Sequence, residues 1–201
     1  MDNKVTNVLI VGVGGQGVLL ASEVLSETAI QAGLDVKKSE VHGMSQRGGV
    51  VTSHVKFGQK VYSPIIPYGQ ADVLISFEQA EALRAIDWVK KGGLIATSTT
   101  RLIPPIATSG KIKYPDDPIS DLKKKFGDVI AIDADAIAIE LGNPRLVNIL
   151  LLGVISERLN LGTETWQKAI KMRVKAKFVD LNLKAFAKGR ELAEESVGTP
   201  L

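Results

Sequence analysis

Cysteine is absent from the chain. This absence excludes a thiolate-held iron–sulfur cluster, a disulfide and a cysteine zinc site. Histidine occurs only at His42 and His54. That is too few imidazoles for an all-protein transition-metal site, so no metal ligands are expected. Aromatic residues are scarce, at 5% against 45% hydrophobic residues in all. The apolar content is therefore mostly Val, Ile, Leu and Ala, the mixture of buried parallel strands and packed helices. A dominant charge is missing too: 25 Lys and Arg stand against 22 Asp and Glu. The basic stretches at residues 123–125 and 168–177 read as solvated helix faces, and no nucleic-acid partner is expected. No charge-free apolar run is long enough to span a membrane. Residues 1–4 lack the layout of a signal peptide and lead straight into a strand-like run, so a cytoplasmic protein without membrane contact is expected.

What is present begins with an aliphatic run at residues 8–11, closed by glycine, which reads as a central strand. A helix over 17–32 follows, ending at Gly33, and a second strand at 35–41 completes a β-loop-α-β unit. Further strands are expected at 50–57, 71–77, 94–97 and 129–132, with residues 61–63 pairing back as a hairpin. A helix at 78–89 should stop at Gly92-Gly93. The proline-rich stretch 101–118 should be irregular apart from a short strand near 112–114. Helices are expected at 119–126, 133–141, 146–159, 163–170 and 178–193, with Thr163 as an N-cap.

Two loops carry the chemistry. Gly12-Val13-Gly14-Gly15-Gln16-Gly17 lies between a strand and a helix, where glycines let a phosphate approach the free N–H groups of the helix start. Dinucleotide binding also needs an acid at the end of the second strand. Glu40 is the candidate, but it falls within the polar loop of residues 39–49. The same glycines would equally serve strand–helix packing beside a partner. The second loop, Ser39-Glu40-Val41-His42-Gly43-Met44-Ser45-Gln46-Arg47-Gly48-Gly49, is too polar for core and reads as serving a site. His42 is a candidate base, and the Arg47 fork suits a carboxylate or phosphate. Alternatively these side chains tie down their own loop. Glu78 and Glu81 follow a strand and either line a ligand crevice or complement a helix start. Asp133 is a natural N-cap, and with Asp135 it lacks the third oxygen ligand of a metal pair. No nucleophile elbow is present.

These residues carry a family resemblance. The glycine run resembles the opening of the gamma subunit of the 2-oxoacid:ferredoxin oxidoreductases. The loop at 39–49, followed by Ser53-His54-Val55-Lys56-Phe57-Gly58, is similar in particular to the beta subunit of the indolepyruvate type. Phe77-Glu78, Glu81-Ala82-Leu83, residues 148–153 and residues 182–189 extend the likeness over about residues 5–190. The resemblance implies a single gamma-type domain over 1–201. Its expected fold is an α/β, Rossmann-like three-layer sandwich with a mostly parallel central sheet and a helical C-terminal part at about 143–195. It implies a small subunit, inactive alone, of a complex that oxidatively decarboxylates a 2-oxoacid to an acyl-CoA and passes electrons to ferredoxin. Thiamine diphosphate, Mg and iron–sulfur clusters would belong to a large partner subunit, in a heteromer with two of each, and coenzyme A would be the co-substrate. Gly12, Gly14, Gly15, Gln16, Gly17, Ser45 and Gln46 would face that cofactor site, with His42 and Arg47 as catalytic candidates. A stand-alone NAD- or flavin-binding Rossmann-like oxidoreductase is the alternative.

Overall fold

A computed structural model describes residues 4–42, 49–103 and 113–197. Its strands are β1 (Val5–Val13), β2 (Asp35–His42), β3 (Val50–Gly58), β4 (Ala71–Ser76), β5 (Val89–Ser98) and β6 (Val129–Ile132). They form one six-stranded sheet in the order β2-β3-β1-β4-β5-β6. β1, β4, β5 and β6 run parallel, while β3 runs antiparallel to both β1 and β2. The helices are α1 (Val18–Gln31), α2 (Gln79–Arg84), α3 (Pro118–Lys125), α4 (Ala134–Glu140), α5 (Val147–Leu159), α6 (Thr163–Arg173) and α7 (Val179–Val197).

Pleating gives the sheet two buried faces. Val8 and Ile10 of β1 face a large core shared with α1, α4, α5, α6 and α7, whereas Leu9 and Val11 face a smaller one closed by Ala82, Leu122 and Ile66. Helices thus cover both faces, as the three-layer expectation required, and α5 is buried on nearly every side. α1 ends in a Schellman motif: Gly33 has φ 79°, its N–H donates to Ile30, and the Leu34 N–H donates to Ala29. No helix among the described residues is long and apolar enough to cross a membrane.

Five local expectations need correction. β2 is parallel to β1 but not beside it, because β3 inserts between them and packs Val55 and Phe57 into the α1 core. Residues 61–63 form no hairpin strand; the Val61 N–H donates to Asp35, Tyr62 is exposed, and the chain goes on to bury Ile66 on the outer face. The helix expected at 78–89 ends at Arg84. A 3-10 turn follows at Ile86–Trp88, and Val89 already belongs to β5, so Gly92 and Gly93 lie inside a strand, where residues 90–93 bulge opposite Asp72. Thr163 is the first residue of α6, and Gly162 takes the cap position without a side-chain bond. Lys113 and Tyr114 are irregular, and Ile112 lies outside the described residues.

Candidate functional site

The glycine loop emerges where β1 meets the C-terminal end of β4. Gln16 holds it closed: its Oε1 accepts from the Val13 N–H at 2.7 Å and its Nε2 donates to the Phe77 carbonyl at 2.9 Å. The loop is thereby fixed to the neighbouring strand end before any ligand arrives. Gly15 (φ 101°) and Gly17 (φ 90°) occupy the left-handed region, where a Cβ is costly. Gly12 has a different task. A Cβ there would meet Val18, Gln16 and Phe77 at 3.0–3.1 Å, so this residue serves packing rather than a ligand. α1 starts without a side-chain cap or an acid in its first turn, which leaves its N–H groups and partial positive charge open.

Two clefts flank this loop. One, of about 450 Å³, is lined by Gly15, Gln16 and Gly17 together with Thr100, Asp135, Arg145 and Asn148. The other, of about 370 Å³, is lined by Gly14, Gly15 and Gly17 with Leu19, His42 and Val51. Asn148 stands over Gly17; a Cβ on that glycine would lie 2.7 Å from Asn148 Nδ2. Its Oδ1 accepts from the Ile149 N–H at 2.8 Å, and its Nδ2 faces the glycine. Across the first cleft, the hydroxyls of Ser98 and Thr100 lie 2.6 Å apart, and the Thr100 hydroxyl donates to Asp135. Arg145 forms no ion pair among the described residues. A helix N-terminus, a guanidinium and an amide donor suit an anion, and a carboxylate–hydroxyl pair beside them suits a hydroxylated body.

The second polar loop is partly strand. Ser39, Glu40, Val41 and His42 belong to β2. Glu40 turns toward α1, where its carboxylate pairs with Lys38 at 2.8 Å and receives the Ser22 hydroxyl at 3.4 Å. With β3 standing between β1 and β2, this acid is one strand too far out for the ribose geometry of a dinucleotide site. His42 is half exposed, with Nε2 3.8 Å from Glu40. Ser45, Gln46 and Arg47 lie outside the described residues. Their described flanks bracket the glycine loop: His42 lines the second cleft, and the Gly14 N–H donates to the Gly49 carbonyl at 2.9 Å.

Glu78 is a buried hub rather than a crevice acid. Its Oε2 accepts from the Ala80 and Glu81 N–H groups at 2.9 and 3.0 Å, capping α2, and its Oε1 accepts from the Leu102 N–H and the Tyr114 hydroxyl. It therefore holds the segment carrying Thr100 and Leu102 against the first cleft. Burial, the bond to Glu78 and its charge push the Tyr114 hydroxyl well above its ordinary range, so Tyr114 stays a neutral donor. Burial also raises Glu81, against the attraction of Arg84. Asp133 caps α4 through the Ala136 N–H at 3.1 Å, as expected, and Asp135 reaches the cleft. Among the described residues no three His, Cys, Asp or Glu side chains gather as a metal group. The sequence reading gave no site role to Thr100, Arg145 or Asn148. Asn148 opens one of the stretches that carry the likeness, and it is a polar residue near the start of an apolar helix.

The family model described as pyruvate ferredoxin/flavodoxin oxidoreductase matches residues 7–192. Indolepyruvate oxidoreductase subunit IorB of Thermococcus kodakarensis is 42% identical over 201 residues, covering 97% of this chain and 99% of the relative. Its counterpart in Pyrococcus horikoshii is 43% identical over 200 residues, covering 96% and 98%. Among solved structures, the gamma subunit of a keto/oxoacid ferredoxin oxidoreductase from Geobacter sulfurreducens superposes with a TM-score of 0.70 at 24% identity, covering 94% of this chain and 99% of that one. The 2-oxoglutarate:ferredoxin oxidoreductase of Magnetococcus marinus, solved with 2-oxoglutarate, coenzyme A and succinyl-CoA, gives 0.72 at 21% identity. There the match covers 96% of this chain but 32% of the longer one. The structural matches share the fold, and the resemblance read from the two loops agrees with the sequence relatives.

Proposed function

Since the chain belongs to the pyruvate ferredoxin/flavodoxin oxidoreductase family, we propose that it is the small subunit of a thiamine-diphosphate-dependent, cytoplasmic indolepyruvate:ferredoxin oxidoreductase. In this reading an aryl 2-oxoacid is oxidatively decarboxylated to its acyl-CoA, and the electrons leave through ferredoxin. The observation that carries it is the near end-to-end match to indolepyruvate oxidoreductase small subunits at 42–43% identity. A single gamma-type domain spans 1–201. Thiamine diphosphate, Mg and the iron–sulfur clusters sit in a large partner subunit, two of each subunit making the heteromer. The absence of cysteine here supports that division of labour.

This chain's part is to complete the partner's site. Gly14, Gly15 and Gly17 open the α1 N-terminus toward an anion, and Gln16 keeps the loop in place by its two backbone bonds. Ser45, Gln46 and Arg47, with His42 beside them, extend that site toward the substrate carboxylate or coenzyme A. The stand-alone NAD or flavin reading draws on the same glycine pattern, but Glu40 is engaged with Lys38 and lies on a strand that does not adjoin β1.

The test is anaerobic, 2-oxoacid-dependent reduction of a viologen dye with coenzyme A, on this chain alone and co-expressed with the large subunit. The expected result is turnover in the co-expressed sample only, with indolepyruvate preferred, and its loss in an Arg47→Ala complex that still assembles. Turnover by the chain alone, or flavin or NAD(H) retention without any turnover, would overturn the reading.

A further inference from the structure

A small cleft lies where the end of α5, the start of α6 and the middle of α7 meet. It encloses about 90 Å³, room for about three water molecules. Ser156, Glu157 and Asn160 at the end of α5, Thr163 at the start of α6 and Arg190 on α7 give it a polar wall. Trp166 completes that wall and is wholly buried, its ring tilted against Phe186 with 5.6 Å between centroids. Trp166 thus belongs to the apolar core on one side and to this polar wall on the other. Its Nε1 is buried and has no hydrogen-bond partner among the described residues. An indole N–H can only donate, and a buried donor without an acceptor costs free energy.

The rest of the wall is short of acceptors as well. α6 starts at Gly162 without a side-chain cap, so its first N–H groups and partial positive charge are open. Glu164, the acid of that first turn, does not line the cleft. The Arg190 side chain is 23% exposed; its Nη1 donates to Ser156 Oγ at 3.3 Å, and its Nη2 pairs with Glu157. The carbonyl end of α5 is already engaged. Gly153 accepts from the Ser156 hydroxyl at 2.7 Å, and Glu157 accepts from the Asn160 N–H at 3.2 Å. Glu157 brings the wall its negative charge, and its side chain is 59% exposed.

We propose that this cleft binds one small inorganic oxyanion of phosphate size. Trp166 Nε1 and the first N–H groups of α6 donate to its oxygens, and Arg190 shares its guanidinium between the anion and Glu157. Water could occupy the same room, but it brings no charge to the guanidinium and the helix start. The anion ties the ends of α5 and α6 to α7 at one point. The site shares no lining residue with the two clefts at the glycine loop and does not depend on the reaction proposed above.

The test titrates the full chain with inorganic phosphate at fixed pH and ionic strength, with sodium chloride making up the balance. The chain has two tryptophans, Trp88 and Trp166, so NMR follows two indole N–H signals, and Trp88→Phe assigns them. The expected result is a saturable shift of the Trp166 signal alone, with a rise in melting temperature by mass action. Arg190→Gln should weaken phosphate binding about tenfold. Glu157→Gln, at an exposed position, removes the like charge and should tighten binding about threefold. Phenyl phosphate, whose ring exceeds the cavity, should leave the Trp166 signal in place. No saturable shift of that signal, or the same shift with sodium chloride alone or with phenyl phosphate, would overturn the proposal. So would unchanged affinity in Arg190→Gln or weaker binding in Glu157→Gln.

Discussion

The C-terminal edge of the sheet and the seam between α5 and α7 both press backbone against backbone, by opposite means. At the sheet edge, polar side chains bridge main-chain groups: Gln16 joins β1 to Phe77, and Glu78 gathers three N–H groups and a hydroxyl. At the seam, side chains are removed. A Cβ on Gly153 would lie 2.3 Å from the Phe186 carbonyl oxygen, and one on Gly189 would lie 2.1 Å from that of Leu150. The edge can exchange its bonds for bonds to a ligand, which suits a site. The seam has no such freedom, because its closeness depends on atoms that are missing. The two helices thus meet closely through their middles, while Asn148 and Asn182 near their N-terminal ends line open clefts.

The seam should break hardest. Gly189→Ala forces a methyl onto helix backbone, and its expected cost is about 3 kcal/mol, even against the roughly 1 kcal/mol that alanine gains in helix propensity. Urea unfolding reads this directly, and an unchanged midpoint would mean the helices are not in such contact. Glu78→Ala tests the edge. It removes the α2 cap and leaves Leu102 N–H and the Tyr114 hydroxyl short of an acceptor, for an expected loss of about 2 kcal/mol. Faster hydrogen exchange at the Leu102 amide should accompany it; protection equal to wild type would contradict the hub.

Gly17 combines both strategies, since it needs a left-handed backbone and also leaves room for Asn148. Gly17→Ala should cost about 1.5 kcal/mol through its backbone alone. A double-mutant cycle with Asn148→Ala should recover whatever the contact adds, and strict additivity would show that the two residues do not touch. The smallest effect is expected at Asp35, a half-buried polar staple at the start of β2. The Lys37 ammonium and the Val61 N–H hold its carboxyl down at about 2, below its ordinary 3.8. A depressed carboxyl contributes stability that is present above about pH 4 and lost as the pH falls toward about 2. Asp35→Asn should therefore lower the melting temperature at pH 7, and the difference should shrink across that acid window. A difference independent of pH would assign the effect to geometry instead of charge.

The contrast also explains what could be read early. The glycine loop was legible because its pattern is contiguous, and strand-to-helix context gives each glycine a local meaning. Gly33 and Asp133 were legible for the same reason, one ending a helix and the other starting one. Gly153 and Gly189 carry no local signal: both sit inside helices where glycine is a poor residue, and their purpose appears only when α5 meets α7. Thr100, Arg145 and Asn148 are likewise ordinary in sequence, coming from two separate segments, one after β5 and one at the start of α5, that the fold brings to one cleft.

The amino-acid sequence alone determined the α/β class, the buried central strand, the strand-to-helix glycine turn and the absence of any thiolate that could hold a cluster. These follow from local propensity, periodicity and residue chemistry, which act over a few neighbouring positions. Only the tertiary structure decided that β3 separates β2 from β1, that Glu40 faces α1 and that Glu78 is a buried hub. Strand order and side-chain partners are set by burial between segments far apart in the chain, and no short stretch of sequence contains that information.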